Sequence, residues 1–169
     1  MAPGPTEPEL PSFDPGMLPE DGVSDPLEIF RIFAESATQP LGMGTLDGKV
    51  AYANPALCKI LGLTDLAAAV GTPLTRYYLP TDRKRLESEI LPQVVDSGLK
   101  TVDLPLVSID GRVTPSIQAI FLLRDRHGDP LCYANIITDV THHKQTEAQL
   151  RGARDELEEE IQARSSELR

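Results

Sequence analysis

The 169-residue sequence has no tryptophan, two cysteines and fewer basic than acidic residues. Two cysteines, Cys58 and Cys132, are too few for a disulfide framework or an all-cysteine zinc site. The 16 Lys and Arg against 26 Asp and Glu give a net charge of −10, which argues against a nucleic-acid-binding surface. No apolar run approaches the roughly 20 residues of a membrane span, and the N-terminus lacks signal-peptide features. The composition predicts a cytoplasmic protein without nucleic-acid binding or membrane insertion.

Charge and proline divide the chain into three parts. Residues 1–25 contain six acids, no Lys or Arg, and six of the fifteen prolines, a composition that predicts a disordered leader. Residues 26–141 are nearly neutral and contain most of the large apolar side chains, so they are expected to form the folded domain. Residues 142–169 contain no proline and are rich in good helix formers, which predicts a single helix.

Local signals organise the first half of the domain. Apolar residues at helical spacing predict a short flanking helix over 26–37. The pair Asp47-Gly48 separates two short apolar runs and predicts a hairpin with a type I′ turn. Asn54 is a strong N-cap and Pro55 suits the first helical position, so a helix is expected to begin there.

The second half predicts one long helical stretch and three strands. The helical stretch covers 80–96, and Pro92 within it either kinks the helix or divides it in two. Alternating apolar residues and turn signals predict strands over 101–109, 112–124 and 131–138, joined as an antiparallel meander. With the first hairpin, these strands indicate an α+β fold in which helices cover one face of a five-stranded antiparallel sheet.

The last two predicted strands are apolar on both faces. Ile120 and Leu122 alternate with Phe121 and Leu123, so the second face of the sheet also needs cover. The flanking helix or a second subunit is available to supply it.

Five segments, in order and at suitable spacing, resemble a known family. They are LDGKVAYANPALCKILG (46–62), LPTDR (79–83), DGR (110–112), RDRHGDP (124–130) and DVT (139–141). Over residues 28–141 the chain resembles a PAS domain of the bacterial signalling type. The resemblance implies the PAS fold, with an N-terminal flanking helix and a long C-terminal helix. The tail over 153–169 is similar to the helix that joins PAS domains to histidine kinase cores.

The resemblance also implies a signal junction at Asp139, Val140 and Thr141, where the last strand becomes the exit helix. Thr141 suits an N-cap. His142 and His143 stand where the family usually has an acidic and then a basic residue, so the first helical turn lacks the acid that the helix dipole favours.

The exit helix carries an apolar repeat with spacings of 7, 4 and 7. These residues are Leu150, Leu157, Ile161 and Leu168. They occupy core positions of a heptad pattern, with Arg154 and Arg164 at the intervening core positions. The pattern favours a parallel coiled-coil homodimer, and the alternative is a solvated helix docked on its own domain.

The resemblance places a ligand cavity between the helices and the sheet. The candidate lining residues are Ile60, Leu86, Ile90, Val94, Phe121 and Asn135. Asn135 is a polar residue in an apolar strand, so it is expected to orient a small ligand, although an edge or interface position would explain it equally well. No metal and no particular cofactor are predicted.

Three photosensor or redox features are missing when the chain is compared with the family. The stretch 71–76 lacks the cysteine that covalent flavin photochemistry requires, and 81–96 lacks the histidine that typically binds haem. The chain has no tryptophan, which redox flavin relatives usually carry near the pocket. A haem or flavin sensor is therefore a minor alternative.

The functional expectation is a sensory and dimerisation PAS module. A ligand- or partner-induced change would pass through 139–141 into the C-terminal coiled coil and control an effector, as in two-component signal transduction. The main alternative is a ligandless interaction or dimerisation module. No catalytic residues are predicted, because phosphate-binding, nucleophile-elbow and metal-helix motifs are missing and His143 lacks the setting of a phosphoaccepting histidine. For a longer parent protein, if there is one, the resemblance implies a sensor histidine kinase, with a cyclase or no attached output as the alternatives.

Overall fold

The computed structural model describes residues 26–167, which form five α-helices and seven β-strands. The helices are α1 (Pro26–Ser36), α2 (Pro55–Leu61), α3 (Pro80–Arg85), α4 (Leu91–Ser97) and α5 (Thr141–Glu167). The strands are β1 (Leu41–Gly44), β2 (Val50–Ala53), β3 (Leu99–Asp103), β4 (Leu106–Val107), β5 (Val113–Thr114), β6 (Ser116–Arg124) and β7 (Pro130–Asp139). Short 3₁₀ turns lie at Leu66–Ala68 and Leu74–Tyr77.

The main sheet has five antiparallel strands in the order β2-β1-β7-β6-β3, which confirms the predicted sheet. The predicted strands over 101–109 and 112–124 are each interrupted, so β4 and β5 form a separate two-stranded ladder. The interruptions fall at Pro105 and Pro115, which have no N–H to donate to a ladder. Between them, the Leu104 N–H still donates to the Ser116 carbonyl at 3.0 Å.

Asn54 links three elements at the start of α2. Its Oδ1 accepts hydrogen bonds from the N–H of Leu57, as an N-cap does, and from the N–H of Leu41 in β1. Its Nδ2 donates to backbone carbonyls at the end of α1 and just beyond it, those of Ala34, Ala37 and Gln39. The predicted cap is confirmed, and the fully buried side chain also fastens α1 to the domain.

The hairpin turn differs from the predicted type. A type I′ turn needs positive φ at both central residues, whereas Gly48 has a φ of 78° and no other residue type has a positive φ in the described part of the chain. Asp47 therefore keeps a negative φ, and Gly48 alone takes the left-handed conformation. The β1–β2 register shifts next to this turn, between Met43 and Gly44.

The long helical stretch is divided in two rather than only kinked, and both outcomes were predicted from Pro92. A π-helical turn over Leu86–Ile90 separates α3 from α4. Pro92 is the second residue after this turn and cannot donate a helical hydrogen bond. The wider turn is where the helix accommodates the missing donor.

The two faces of the sheet have different surroundings. Helices and loops cover the inner face, where Ile90, Val94 and Ile137 are fully buried. The outer face remains open, since Leu99 is 56% exposed and Ile117 is 41% exposed. Of the two covers considered from the sequence, α1 leaves this face exposed because its C-terminal end is attached at Asn54, beside α2.

Within residues 26–167, no helix is long and apolar enough to cross a membrane.

Candidate ligand cavity and signal junction

A cavity of about 60 Å³ lies between the inner face of the sheet and the helical layer. Its lining comes from β1, β2, α2, β4, β6 and β7, from the segment over 74–78 and from the segment over 86–91. Among the residues that the structure describes, the lining is largely aliphatic and contains no charged side chain, cysteine or histidine. Apart from three tyrosines, Asn135 is the one polar side chain in the lining.

The six predicted lining residues are placed differently from one another. Leu86 and Asn135 line the cavity. Three others belong to the surrounding core without reaching the lining: Ile60, Ile90 and Val94. Phe121 is half-buried on the outer face, because β6 alternates and its neighbour Ile120 takes the inner position. Contact of any of these residues with a ligand remains a prediction.

Gln118 forms the centre of a buried polar network at one end of the cavity. Its Oε1 accepts hydrogen bonds from the Tyr78 hydroxyl at 3.0 Å and from Asn135 Nδ2 at 3.1 Å. Its Nε2 donates to the Leu104 carbonyl at 2.8 Å and to Ser116 Oγ at 3.4 Å. The Ser116 hydroxyl donates to the same Leu104 carbonyl at 2.7 Å. Gln118 is thus fully buried with both ends of its amide bonded, as burial of polar groups requires.

Sequence reasoning did not single out Tyr78 or Gln118. Gln118 had a detectable signal, because it occupies an inner-face position between Ser116 and Ile120 in a strand that is otherwise mostly apolar. Tyr78 had none, since its partner Gln118 lies 40 positions away in the chain.

The cavity is electrostatically neutral. Burial raises the pKa of Tyr78 to about 12, even though its hydrogen bond to Gln118 opposes the shift. Burial also raises the pKa of Tyr133, another lining residue. Both phenols are therefore uncharged at neutral pH and act as hydrogen-bonding groups.

The two cysteines lie outside the cavity lining and are half-buried. Burial raises the pKa of each thiol, of Cys58 and of Cys132. Raised values keep both thiols protonated at neutral pH, which makes them poor nucleophiles. They behave as small, weakly polar packing residues.

The lining does not fit a covalently bound flavin or a haem. It offers no thiol to a flavin ring and no imidazole to a haem iron. The cavity is also well below the roughly 300 Å³ at the lower end of ordinary ligand sites. Within residues 26–167, no group of three or more His, Cys, Asp or Glu side chains is placed to hold a metal ion.

A wider cleft of about 420 Å³ opens beside the cavity, between the β1–β2 turn and α4. Four side chains line both spaces: Leu74, Leu86, Leu91 and Tyr133. These four residues lie where the cavity and the cleft adjoin, and one of them, Leu86, begins the π-helical turn.

The predicted signal junction is built around Val140. Val140 is buried, its N–H donates to the Pro115 carbonyl at 3.0 Å, and its carbonyl accepts from the Lys144 N–H at 2.9 Å. The expectation that Thr141 is the N-cap is wrong, because Thr141 is already the first helical residue. Asp139 Oδ1 accepts the Thr141 N–H at 2.8 Å instead, so the acid next to the helix start comes from the end of β7.

An ion pair connects the first turn of α5 to the sheet. Lys144 Nζ lies 3.0 Å from Asp103 Oδ2 at the end of β3. Both side chains are about half exposed, so solvent screens this contact and its contribution to stability is small.

The apolar stripe predicted on α5 is exposed. Leu150, Leu157 and Ile161 are each more than half exposed, and Leu168 lies outside the described residues. Arg154, at a predicted core position, lies within 3.6 Å of the carboxylates of Asp155 and Glu158.

The sheet, its single helical layer, the small cavity between them and the exit helix together define a class of α+β domain. The PAS fold family model matches residues 34–145. The chain belongs to this family, whose members are generally sensory rather than catalytic. A comparison with curated proteins found no match.

Solved structures with the same fold include three useful comparisons. A PAS domain from Colwellia psychrerythraea is 18% identical, with a TM-score of 0.64 over 70% of this chain and 99% of that chain. A sensory box histidine kinase/response regulator from Burkholderia thailandensis is 23% identical, with a TM-score of 0.55 over 77% and 98%. A Light-Oxygen-Voltage domain studied with a flavin analogue is 20% identical, with a TM-score of 0.57 over 76% and 96%. These likenesses concern the fold.

Proposed function

We propose that this chain is a sensory and dimerisation PAS module that controls an effector through its C-terminal helix. A ligand in the cavity, or a partner on the domain, alters the sheet, and the change passes through Asp139, Val140 and Thr141 into α5. The observation that carries the proposal is the course of β7. The strand lines the cavity through Tyr133, Asn135 and Ile137 and ends two residues before α5 begins.

The path from cavity to helix is short. Asn135 and Asp139 lie four residues apart on one strand, or about 13 Å at the rise of a β-strand. β6 is tied to the same path, because Gln118 pairs with Ile137 and Ser116 pairs with Asp139. A displacement of β7 at the cavity would therefore reach the start of α5 without crossing a flexible loop, as a two-state coupling requires.

The proposed output is a parallel coiled-coil homodimer formed by α5. The exposed stripe of Leu150, Leu157 and Ile161 supports this output, because only a partner can remove these apolar side chains from water. Leu168 would extend the same pattern. The proposed organisation is a leader over 1–25, a PAS domain over 26–141 and a signalling helix over 142–169, in a cytoplasmic protein. A sensor histidine kinase is the proposed effector, by analogy with the sensory box kinase of similar fold.

A second candidate is a dimerisation module without a ligand. The small cavity favours it, and so does the exposed outer face of the sheet, where Leu99, Ile117 and Ile136 offer another interface. A flavin or haem sensor has less support, because the lining lacks the side chains that would hold either group.

Native mass spectrometry of the wild type and of Leu157→Ser/Ile161→Ser tests the proposed output. The wild type is expected to be a dimer, and the double variant a folded monomer, since both side chains are exposed on α5 in the single chain and lie outside the domain core. The matched control is Glu156→Ser/Glu159→Ser, which alters the same helix outside the apolar stripe and should remain dimeric. If the double variant stays dimeric, the dimer interface lies on α1 or on the sheet instead of on α5.

The same spectra separate the two candidate functions. Bound mass that is released on denaturation supports ligand sensing. A dimer at the bare polypeptide mass, which gains no mass when small-molecule mixtures are added, supports the dimerisation module.

A further inference from the structure

The orientation of the Asn135 amide is determined by its neighbour Gln118. Gln118 Nε2 donates to the Leu104 carbonyl, so its Oε1 is the atom directed to the other side, where it accepts the Tyr78 hydroxyl. Asn135 must then present its Nδ2 donor to that oxygen, and the two atoms are 3.1 Å apart. A flipped Asn135 would place two acceptor oxygens against each other.

This orientation leaves Asn135 Oδ1 beside Gly42, its cross-strand partner in β1. A Cβ atom added to Gly42 would lie 2.5 Å from that oxygen. No hydrogen bond found among the described residues reaches Asn135 Oδ1. Because both Asn135 and Gly42 line the cavity, the cavity contains an acceptor for which the domain supplies no donor.

The neutral lining restricts the charge of a ligand. Among residues 26–167, no Lys, Arg, Asp, Glu or His lines the cavity, and burial raises the pKa of Tyr78 and of Tyr133, which keeps both phenols neutral at neutral pH. A charged ligand would lose its hydration without gaining an opposite charge, which is costly. A neutral donor such as a hydroxyl or a primary amide avoids this cost.

The volume restricts the size of the ligand. At roughly 10–15 Å³ for each water-sized occupant, a cavity of about 60 Å³ accepts roughly four to six heavy atoms. We propose that the cavity binds a small neutral amphiphile, a short-chain alcohol or amide, whose hydroxyl or N–H donates to Asn135 Oδ1. This inference rests on the proposed sensory function and names the ligand class of the same cavity.

Two isomers test the requirement for a donor. 1-Butanol and methyl propyl ether have the same atoms and nearly the same size, but the ether cannot donate a hydrogen bond. Each is titrated into the full chain while the side-chain amide signals of Asn135 and Gln118 are followed by ¹H–¹⁵N NMR. We expect the alcohol to bind about fivefold more tightly than the ether, the effect of one net hydrogen bond. Butylammonium and butyrate should not bind.

Two variants test whether Asn135 is the acceptor. Asn135→Ala removes the oxygen, and Gly42→Ala keeps it but crowds it with a methyl group. Both should reduce the preference for the alcohol to about one. The control Thr101→Ala changes an exposed residue of the sheet and should keep the full preference. Far-UV circular dichroism and a cooperative melt establish that each variant is folded, so that either one suffices if the other is unstable.

Each outcome decides the inference. Preferential binding of the alcohol that is lost in a folded variant supports it. Equal binding of the two isomers, preferential binding that survives both variants, or no binding of either isomer to the wild type overturns it. None of these results alters the dimer of α5, so the proposed function fails separately, through the oligomeric state of the Leu157→Ser/Ile161→Ser variant.

Discussion

The network around Gln118 and the surface of α5 differ in where their side chains find partners, within the domain or outside it. Around Gln118, which is fully buried, polar atoms from β6, β7 and the loop after Tyr77 hydrogen-bond to one another. On α5, the apolar side chains Leu150, Leu157 and Ile161 remain in water. The network thus joins distant parts of the domain to one another, whereas the helix presents an apolar surface that only another molecule can cover.

The contrast shows where stability and where signalling reside. Buried, mutually bonded groups contribute cooperatively to the folded state, so changes there should be large and should affect the whole domain. Exposed side chains on a single solvated helix contribute little to the free energy of unfolding. Changes near α5 should therefore be small in the free energy of unfolding and visible mainly in local order or in assembly.

The largest effect is expected at Asn54. Asn54→Ala removes the cap of α2 and leaves buried backbone groups of α1, β1 and α2 without partners. We expect the free energy of unfolding to fall by about 3 kcal/mol in urea denaturation. Asn54→Ser, which restores an oxygen for the cap, should recover about 1 kcal/mol. A loss below about 1 kcal/mol for the alanine variant would contradict the linking role of this residue.

The next effect is a dependence on alkaline pH. The folded domain raises the pKa of Tyr78 from 10.0 to about 12, so between these values the unfolded chain loses the proton while the folded chain keeps it. The contribution of Tyr78 to the free energy of unfolding is fully present below pH 10 and is lost as the pH rises through 12. We expect the wild type to lose about 2–3 kcal/mol more than Tyr78→Phe over this window.

Urea denaturation at a series of pH values measures this difference. Other tyrosines and lysines titrate in the same window, but they are common to both proteins and cancel in the comparison. Parallel pH profiles for the two proteins would mean that Tyr78 is not held neutral by burial.

A smaller effect is expected at the start of α5. Asp139→Ala removes the oxygen that accepts the Thr141 N–H, an interaction of about 1 kcal/mol at a helix start. Amide hydrogen exchange in the first turn of α5 should become about fivefold faster, with little change in global stability. Asp139→Asn keeps the acceptor and should exchange nearly as slowly as the wild type. If Thr141→Val produced the acceleration instead, the threonine would be the cap after all.

The smallest effect is expected for the surface ion pair. Lys144→Ala removes the contact with Asp103, and both side chains are about half exposed. We expect a change in the free energy of unfolding below about 0.5 kcal/mol, reduced further by added salt. A change above about 1 kcal/mol would show that α5 is fastened to β3 more firmly than its exposure indicates, and would weaken the contrast between the two regions.

Much of the fold was predictable because its signals are local. The Asn54 cap depends on Leu57, three residues away, and Gly62 ends α2 in the left-handed conformation with a φ of 72°. The interruptions at Pro105 and Pro115 also have a local signal, since neither proline can donate to a ladder, but the alternation of apolar residues around them predicts continuous strands. The hairpin was placed correctly, although its turn type was not, because Asp47 does not take a positive φ.

The cavity was less predictable because its lining depends on distant contacts. Leu86 and Asn135 were chosen from the sequence and line it, but Tyr78 and Gln118 were missed and Phe121 was placed on the wrong side of β6 for a lining residue. Alternation along a strand separates residues into two sets. It does not say which set faces the helices when both sets are apolar.

The sequence alone determined the order of the elements, the caps and glycine turns that begin and end them, and the resemblance that predicted a PAS fold. These features follow from interactions within a few residues, where backbone sterics and hydrogen bonding allow few choices. Only the tertiary structure decided which apolar face of the sheet is covered, how Gln118 orients Asn135, and that Asp139 accepts the N–H of Thr141 at the start of α5. The first two join residues far apart in the chain, and the last depends on the exact residue at which β7 gives way to the helix, so each required the packed domain to select one arrangement.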